Sequence, residues 1–494
     1  MNVYLSLILI VPLAGAGLLA LFEQFKNFFN RFKICTKCLN HIVANVIALG
    51  VFILGILSIF LNSMWDLNTT TDGLLEYGLL QAILITIFGF LVWMAVLFSV
   101  DYMKGKDGLG FYYALILTLF SGLSAVVMAN NFFTLFVGWE MFALSGYALV
   151  AFERMKRGAV EASLKYFIMS TAGSLFILLG TALTYGYYGS VNFTVLRASS
   201  IASPITGAII AIFIMGFGVT AAMLFLNAWL PDAHSHAPST ISALLSGIVV
   251  KAGAYGIYRS LYWTFASDNI LPTRIFISWL AILTMFEGNF LVFSQFWRKD
   301  IIDFKRILAY STTVHLGYIV LGFGAGTELG IGASVFHILT HAAGKGSLFL
   351  LSGLLIAAVG SRDIRSMQGL GRRSPFVGII LTIGLLSLGG IPITGGFVSK
   401  LLVILAAFNG THWPIMNIII VIMAIINSLL ALGGYLYILK IIVFDKPESD
   451  EEDKLKIPVF EGISLTIIAV VIILLGVWPA KVFELIAQAV GALW

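Results

Sequence analysis

Charged side chains are scarce in this chain. Only 11% of its 494 residues are Asp, Glu, Lys or Arg, whereas 60% are hydrophobic, and soluble proteins average about 25% charged residues. The apolar runs repeatedly reach the roughly 20 residues that cross a bilayer as a helix. The scarcity of charge excludes a water-soluble fold and predicts an all-α polytopic membrane protein, with 1–494 forming a single membrane domain.

Cysteine and recognisable enzyme motifs are scarce as well. The two cysteines, Cys35 and Cys38, cannot build a disulfide framework, and a structural zinc site needs four ligands where only His41 lies nearby. We interpret them as ordinary thiols. No loop is long enough for a soluble domain, and neither a nucleotide-binding glycine loop nor a catalytic triad is present. We therefore expect no metal, no cofactor, no redox or hydrolytic centre and no nucleic-acid partner for this chain.

What the sequence has in abundance is long apolar runs. Hydropathy predicts about fourteen spans, at 3–22, 42–62, 78–100, 111–129, 131–152, 162–186, 204–228, 239–263, 271–297, 307–324, 330–359, 375–409, 413–440 and 460–490. The twelfth is too long for one straight crossing and contains several glycines and a proline (Gly389, Gly390, Pro392, Gly395 and Gly396). We expect a broken helix there, covered by protein or lining a water-filled cavity.

Basic residues alternate from loop to loop. About 22 of the 29 Lys and Arg residues lie in the loops after the odd-numbered spans, and about four lie on the opposite side (Arg197, Arg259, Arg274 and Lys481). Since cytoplasmic loops carry the excess of positive charge, the pattern predicts a multi-pass cell-membrane protein with both termini outside.

Four of the remaining charges lie inside apolar spans. Glu140 lies near the centre of the fifth span, Lys251 at the middle of the eighth, Lys345 in the eleventh and Lys400 in the twelfth. A charge at the bilayer centre costs about 2.5–3.5 kcal/mol on insertion scales, so such residues mark ion or proton pathways. Structural roles remain open: a carboxylate bonded to serine, backbone or water, a snorkelling lysine, or a lysine that caps a half-helix.

The eleventh span carries His337, His341 and Lys345 at intervals of four residues. Positions i and i+4 fall on one helix face, which gives a titratable stripe of about two turns. The two histidines could bind a metal but lack a third ligand, so a proton relay fits the pattern better. His315 in the tenth span is a further candidate for that relay, and Glu287 in the ninth is a candidate partner for a nearby cation.

Several segments together resemble one family. NAWLPDAHSHAPSTISALLSGIVVKAGAYGIYR is similar to the signature of the antiporter-like subunits shared by respiratory complex I, membrane-bound hydrogenases and Mrp-type sodium/proton antiporters. GWEMFALSGYALVAFE, KDIIDFKRILAYSTTVHLGY, FHILTHAAGKGSLFLLSG and GGIPITGGFVSK resemble the same family, in order from about residue 100 to 440.

The resemblance implies two inverted five-helix repeats, at about 111–263 and 271–440, with 1–100 and 460–490 flanking them. Spans 7 and 12 would be the broken helices. It implies a carboxylate role for Glu140, a bridging role for Lys251 and an exit-side role for Lys400, with His337, His341 and Lys345 continuing the polar axis. Asp232, in the WLPDAH motif, is a further candidate. In the family, proton or sodium transfer is coupled to changes in these charge pairs.

One departure stands out. The family places a lysine on the seventh span nine residues before the tryptophan of WLPDAH, and here that position is Thr220, counted from Trp229. Glu140 therefore lacks its usual cation within the chain. It would be protonated, paired across a subunit interface, or coupled to another ion such as sodium.

The resemblance implies an ion-translocating subunit, for H⁺ and/or Na⁺, that works with other antiporter-like and small membrane subunits in the lipid bilayer and with a peripheral redox arm. The chain ends after the fourteenth span, so we expect a medium-length subunit of a membrane-bound hydrogenase or related reductase. Alternatives are the D-type subunit of an Mrp antiporter, a complex I subunit, a stand-alone solute transporter, or a scaffold that moves no ions.

Overall fold

The computed structural model of the protein describes residues 3–31, 35–65, 69–71, 73–199, 203–265, 271–447 and 455–491. Almost all of this chain is helical. The described strands, β1 (Thr69–Thr71) and β2 (Leu75–Tyr77), pair antiparallel in one small hairpin. The chain divides into two compact units: unit 1 comprises Met1–Thr220 and Tyr255–Asp268, and unit 2 comprises Ala221–Ala254 and Asn269–Trp494.

Unit 1 is built on long apolar helices. In it α1 packs on α3 and α5, α5 on α6, and α7 on α9. The helices are α1 (Val3–Gln24), α2 (Lys26–Arg31), α3 (Thr36–Trp65), α4 (Leu79–Tyr102), α5 (Leu109–Met128), α6 (Phe132–Val150), α7 (Arg157–Tyr188), α8 (Phe193–Ser199) and α9 (Pro204–Thr220).

Unit 2 is arranged around one long central helix, α15, which packs against α11, α14, α17, α18 and α20. Its helices are α10 (Trp229–His236), α11 (Ser239–Leu244), α12 (Val250–Tyr258), α13 (Leu271–Phe296), α14 (Phe304–Gly324), α15 (Glu328–Val359), α16 (Leu370–Arg373), α17 (Pro375–Gly389), α18 (Gly395–Phe408), α19 (Pro414–Leu439), α20 (Val459–Val477) and α21 (Pro479–Gly491). A π-helical turn, Leu245–Val249, joins α11 to α12, whose last residues belong to unit 1.

The expectation of an all-α polytopic membrane protein is confirmed. Within the described ranges, twelve helices are long and apolar enough to cross a membrane, or thirteen if the bent pair Ile364–Arg373 and Pro375–Gly389 is one span. Ser374 separates that pair, which is bent by 116°, and Pro375 is the first residue of α17. Proline starts a new helix readily but cannot continue the previous one. The count of fourteen spans and the inverted repeats stay predictions.

The seventh predicted span, 204–228, is helical only as far as Thr220, the last residue of α9. The next eight residues precede α10, and two of them, Ala222 (φ 47°) and Phe225 (φ 62°), adopt the left-handed conformation. Such a conformation costs a non-glycine residue roughly 1–2 kcal/mol and cannot propagate an α-helix. The span is therefore interrupted.

The twelfth predicted span is also interrupted, between α17 and α18. Gly390, at φ 77°, ends α17, and the N–H of Ile391 donates to the carbonyl of Leu386 at 3.0 Å, as in a Schellman C-cap. At Gly396, in the first turn of α18, a Cβ atom would overlap the carbonyl oxygen of Ser387. Glycine is thus required where the two half-helices cross.

One expected boundary differs from the structure. The fourteenth span, predicted as one helix over 460–490, consists of α20 and α21 with a break at Trp478. Pro479 starts the second helix, which explains the break. Residues 221–254, with Lys251, belong to unit 2, and the bounds of the two repeats stay predictions.

Candidate functional site

A cluster of basic side chains lies inside unit 2, where α12, α14, α15 and α18 each contribute at least one group. Its members are Lys251, His315, His337, His341, Lys345 and Lys400, and each is at most 3% exposed. Helix α15 supplies three of them at the predicted four-residue spacing. All the predicted candidates of unit 2, except Asp232 and Glu287, therefore lie in this one cluster.

Lys251 contacts the histidine stripe directly. Its Nζ lies 2.6 Å from Nδ1 of His341 and also donates to the carbonyl of Ser246. That carbonyl lies in the π-helical turn before α12. A π turn leaves carbonyls out of the regular α-helical hydrogen-bond pattern, and such turns are frequent at functional sites. The local backbone thus provides an acceptor for a lysine that could not reach water.

His315 occupies the centre of the cluster. Its Nδ1 lies 3.1 Å from Nε2 of His337, and its Nε2 lies 3.2 Å from the hydroxyl of Tyr435. Its ring centroid is 4.7 Å from that of His341. The chain of contacts continues to α18, because Nδ1 of His337 lies 2.8 Å from Oγ of Ser399. The imidazole on α14 thus lies between the two imidazoles of α15.

Lys345 shares the α15 stripe but points to α14. Its Nζ donates to the carbonyl of Leu308 at 2.6 Å and to the hydroxyl of Ser311. Its Nζ also lies 6.0 Å from the ring centroid of Phe349. Helical periodicity placed Lys345 correctly on the stripe, whereas its partners on α14 depend on tertiary packing.

Lys400 lies beside the break between α17 and α18. Its Nζ lies 3.3 Å from the carbonyl oxygen of Gly389, at the end of α17, and 3.2 Å from Oγ of Ser428. The ring of Tyr318 lies 5.2 Å from Nζ, within the range of a cation–π contact. The free carbonyls at the end of a half-helix carry partial negative charge, so the break itself stabilises this cation.

Among the residues that the structure describes, the immediate partners of this cluster include no carboxylate. Among the described residues, no Asp or Glu forms an ion pair with Lys251, Lys345 or Lys400. Buried like charges repel strongly in a low-dielectric interior. Protonation of one member therefore disfavours protonation of its neighbours, which suits a set of groups that share few protons.

Glu140 and Thr220 belong to unit 1. Glu140 is on α6 between Val137 and Leu144, both more than half exposed. Its Oε1 is buried and has no hydrogen-bond partner in the part of the chain that the structure describes. Thr220 is buried and ends α9, so the position at which the family carries a lysine lies directly before the helix interruption.

Asp232 and Glu287 have partners outside the cluster. Asp232, on α10, forms an ion pair with Arg306 on α14. Glu287, on α13, was expected beside a cation, but it accepts hydrogen bonds from the backbone N–H of Phe225, at 3.3 Å to each oxygen, and from Nδ2 of Asn227 at 2.8 Å. It therefore caps the interrupted segment between α9 and α10.

Among the described Lys, Arg and His side chains that are at most 2% exposed, three were missed by sequence reasoning. Lys305, in the first turn of α14, is 2% exposed and donates to the carbonyl of Ala237 at 2.6 Å. His234 is fully buried against the ring of Phe349. Arg259 is 1% exposed and lies 3.2 Å from a carboxylate oxygen of Glu76. All three lie near predicted span ends, where sequence does not distinguish a buried charge from a loop charge.

The two cysteines are free and exposed, and the backbone N–H of Cys38 donates to Sγ of Cys35 at 3.3 Å. Within the described ranges, no three His, Cys, Asp or Glu side chains come together as a metal site would need. The nitrogens of His337 lie instead within hydrogen-bond distance of His315 and Ser399.

Comparison with known proteins assigns the fold and the family. The transmembrane family model described as NADH:quinone oxidoreductase/Mrp antiporter matches residues 129–427, more than half of the chain. NADH-quinone oxidoreductase subunit N of Desulforudis audaxviator (strain MP104C) is 31% identical over 363 residues, covering 72% of this chain and 70% of that protein.

Two solved membrane complexes contain chains of similar structure. One is the membrane-bound sulfane sulfur reductase, an archaeal respiratory complex, with a TM-score of 0.87 and 27% identity over 99% of this chain and 97% of the other. The other is the Mrp complex of Dietzia sp. DQ12-45-1b, with a TM-score of 0.84 and 22% identity over 100% and 98%. The chain belongs to the transmembrane family of NADH:quinone oxidoreductase and Mrp antiporter subunits.

Proposed function

We propose that this chain is an ion-translocating subunit of a membrane-bound hydrogenase or a related respiratory reductase, and that it moves H⁺ and/or Na⁺ along the basic cluster of unit 2. The family assignment supports an antiporter-like role. The likeness to a chain of a sulfane sulfur reductase over nearly the whole length supports the reductase branch. Its partners would be other membrane subunits and a peripheral redox arm.

The observation that carries the proposal is the 2.6 Å contact between Nζ of Lys251 and Nδ1 of His341. A primary amine and an imidazole at this distance share one proton: either Nζ donates to a neutral Nδ1, or a protonated Nδ1 donates to a neutral amine. Neither arrangement needs an acidic partner. Such a contact, shielded from water, allows a proton to pass between the two groups. A lysine with a purely structural role does not need it.

The relay would work by proton exchange through the imidazoles. Lys251 gives a proton to Nδ1 of His341, whose opposite nitrogen, Nε2, has no hydrogen-bond partner among the described residues. Release of the Nε2 proton toward His315 then leaves a neutral His341. His315 passes a proton to His337, whose Nδ1 faces Ser399, next to Lys400. A ring rotation or a bridging water closes the gap between His341 and His315.

Lys345 and Asp232 would act electrostatically. Lys345 adds a positive charge beside the α14 end of the cluster, so its protonation would oppose that of Lys251. Asp232 would hold Arg306 and so fix α10 against α14. In unit 1, Glu140 without a lysine at Thr220 would pair across a subunit interface or act protonated, so the half around Lys251 and Lys400 carries the proposed transfer.

The test is Lys251→Ala and Lys400→Ala in the assembled complex, with Lys440→Ala as the control, because Lys440 is an exposed lysine at the end of α19. We expect assembly to persist and ion movement to fall sharply in the first two variants only. Unchanged ion flux in both would refute translocation through this cluster. Loss of assembly would instead favour a scaffold role, which the absent lysine at Thr220 motivates.

The branch of the family is tested by co-purification. Hydrogenase or reductase subunits would support the proposal, whereas Mrp-type partners would identify the chain as a D-type antiporter subunit. Purification of an active transporter without partners would make it a stand-alone transporter.

We also propose that the chain has fourteen spans in two inverted repeats and that both termini face outward. Cys35 and Cys38 provide the test, because both are exposed and lie after the first span. A membrane-impermeant maleimide should label them only from the cytoplasmic side. Labelling from outside intact cells would reverse the orientation.

A further inference from the structure

Helix α13 has an exposed apolar stripe that contains one carboxylate. Leu283 and Phe290 are 47% and 65% exposed, and Glu287 lies between them at i+4 and i−3, partly exposed. Residues three and four apart share one face of a helix. Between Ile275 and Phe293, every residue of α13 that is not buried is apolar except Glu287.

Glu287 lies deep in the membrane. It is about 5 Å from the midpoint of the 26-residue helix α13, at about 1.5 Å per residue, whereas the hydrocarbon core extends about 15 Å to each side of its centre. Ionisable groups at this depth almost always face protein or a water-filled cavity, because lipid does not solvate them. A carboxylate on an outward face is therefore unfavourable if lipid alone covers it.

The interrupted segment between α9 and α10 lies at the same depth, since Glu287 bonds to it. Its Phe225 is 80% exposed, and the residues on either side, Leu224 and Leu226, are partly exposed. Lipid-exposed irregular backbone does not occur in the hydrocarbon region, because its polar groups would be left unsatisfied. This second observation is independent of charge, and it also requires protein on this face.

The charge of Glu287 is not balanced within the described chain. Its hydrogen-bond donors are a backbone N–H and an amide, and no Lys, Arg or His of the described residues forms an ion pair with it. A neighbouring cation would be the strongest stabiliser of a carboxylate in this environment.

We propose that the face formed by Leu283, Glu287, Phe290 and Phe225 is a subunit interface, and that its occupant is a transmembrane helix of a neighbouring subunit with a Lys or Arg at the depth of Glu287. The apolar residues pack against that helix, and the basic group pairs with the carboxylate. The inference depends on the proposed membership of a multi-subunit complex and not on ion movement through the Lys251 cluster.

A photo-crosslinking amino acid at Phe290, in the otherwise wild-type chain within the intact complex, tests the occupant directly. We expect a crosslink to a membrane subunit, mapped to a helix that contains Lys or Arg. Crosslinks to lipid alone would overturn the interface, and crosslinks to a helix without a basic residue would overturn the charge pairing.

Glu287→Leu tests how much the carboxylate contributes to the stability of the interface. Glu484→Leu is the control, because Glu484 is an exposed carboxylate paired with Lys481. Loss of one interfacial ion pair should reduce the yield of intact complex roughly tenfold, since about 1.4 kcal/mol is a factor of ten. Wild-type yield would overturn the proposal. Should Glu287→Leu fail to fold, Glu287→Gln keeps an acceptor for Phe225 and must show the same deficit.

A charge swap tests whether Glu287 pairs directly with the basic residue of the neighbouring helix. Glu287→Lys should disrupt assembly, and replacing the mapped basic residue of the partner by Glu should restore it. Failure of the swap to restore any complex would count against the pairing. Assembly is measured separately from ion flux, so normal assembly with unaffected flux in Lys251→Ala would refute the proposed function and leave this interface standing.

Discussion

At the scale of single residues, the protein stabilises buried basic groups with neutral acceptors. Lys251, Lys345 and Lys400 each contact a backbone carbonyl, and each also contacts a histidine or a serine hydroxyl. A carbonyl stabilises an ammonium group but also tolerates a neutral amine. This arrangement keeps the protonated and neutral forms closer in energy than a salt bridge would, which suits reversible proton transfer.

Composition and spacing predicted much of this site. The apolar context of Lys251 and the four-residue spacing on α15 indicated buried groups on one face. The position of His315 between His337 and His341 was not predictable, because it depends on how α14 packs against α15. His234 gave no signal at all, since a histidine near a proline at a span end resembles a loop residue.

His234 and His315 should respond oppositely to replacement by phenylalanine. Both nitrogens of His234 lack a partner among the described residues, so His234→Phe removes an unsatisfied group and retains the stacking on Phe349. The melting temperature of the His234→Phe variant in detergent should match or exceed that of the wild type. His315→Phe leaves Nε2 of His337 without its partner and should lower the free energy of unfolding by about 1–3 kcal/mol. Destabilisation by His234→Phe would indicate a polar contact that this account omits.

Cys35 should be unusually reactive. A side-chain hydrogen bond from Cys38 stabilises its thiolate and lowers the pKa of Cys35 below that of an ordinary thiol. Alkylation of Cys35 should therefore persist at pH values at which an ordinary thiol is protonated and unreactive. The measurement is the alkylation rate against pH, followed by mass spectrometry. In Cys38→Ala the rate profile of Cys35 should shift to higher pH. An unchanged profile would show that Cys38 does not lower the pKa of Cys35.

At the scale of helices, the two interruptions have different origins. Glycine and proline in the sequence predicted the break between α17 and α18. The segment between α9 and α10 contains neither, and only the resemblance to the family indicated a break there. Its left-handed residues are held by tertiary contacts, with Glu287 capping Phe225 and Thr284 accepting from the N–H of Leu224 at 3.0 Å.

Gly396 should be intolerant of any side chain. The Cβ atom of Gly396→Ala would overlap the carbonyl oxygen of Ser387, a backbone atom that cannot rotate away, so α17 and α18 would have to separate. Gly433→Ala is the matched control, because its Cβ would meet only Phe293 at 3.9 Å. Expression and melting temperature should drop for Gly396→Ala. For Gly433→Ala both should stay level or rise, with a gain of up to about 0.5–1 kcal/mol in the free energy of unfolding. Equal stability of the two would contradict the close crossing.

At the scale of the whole molecule, the family fold is present, but Thr220 stands where the resemblance predicts a lysine. The fold extends over nearly the full length of its structural neighbours, and the Lys251 cluster lies wholly in unit 2. Glu140 and Thr220 lie in unit 1. The proposed ion transfer therefore belongs to the cluster in unit 2.

The most direct test of this assignment is the number of ions moved per turnover of the complex in sealed vesicles. Ion uptake and the driving reaction are recorded together for wild type and Lys251→Ala, after equal assembly has been established. The ratio of ions to turnovers should fall in Lys251→Ala while the driving reaction continues. A ratio equal to that of the wild type would contradict ion transfer through Lys251.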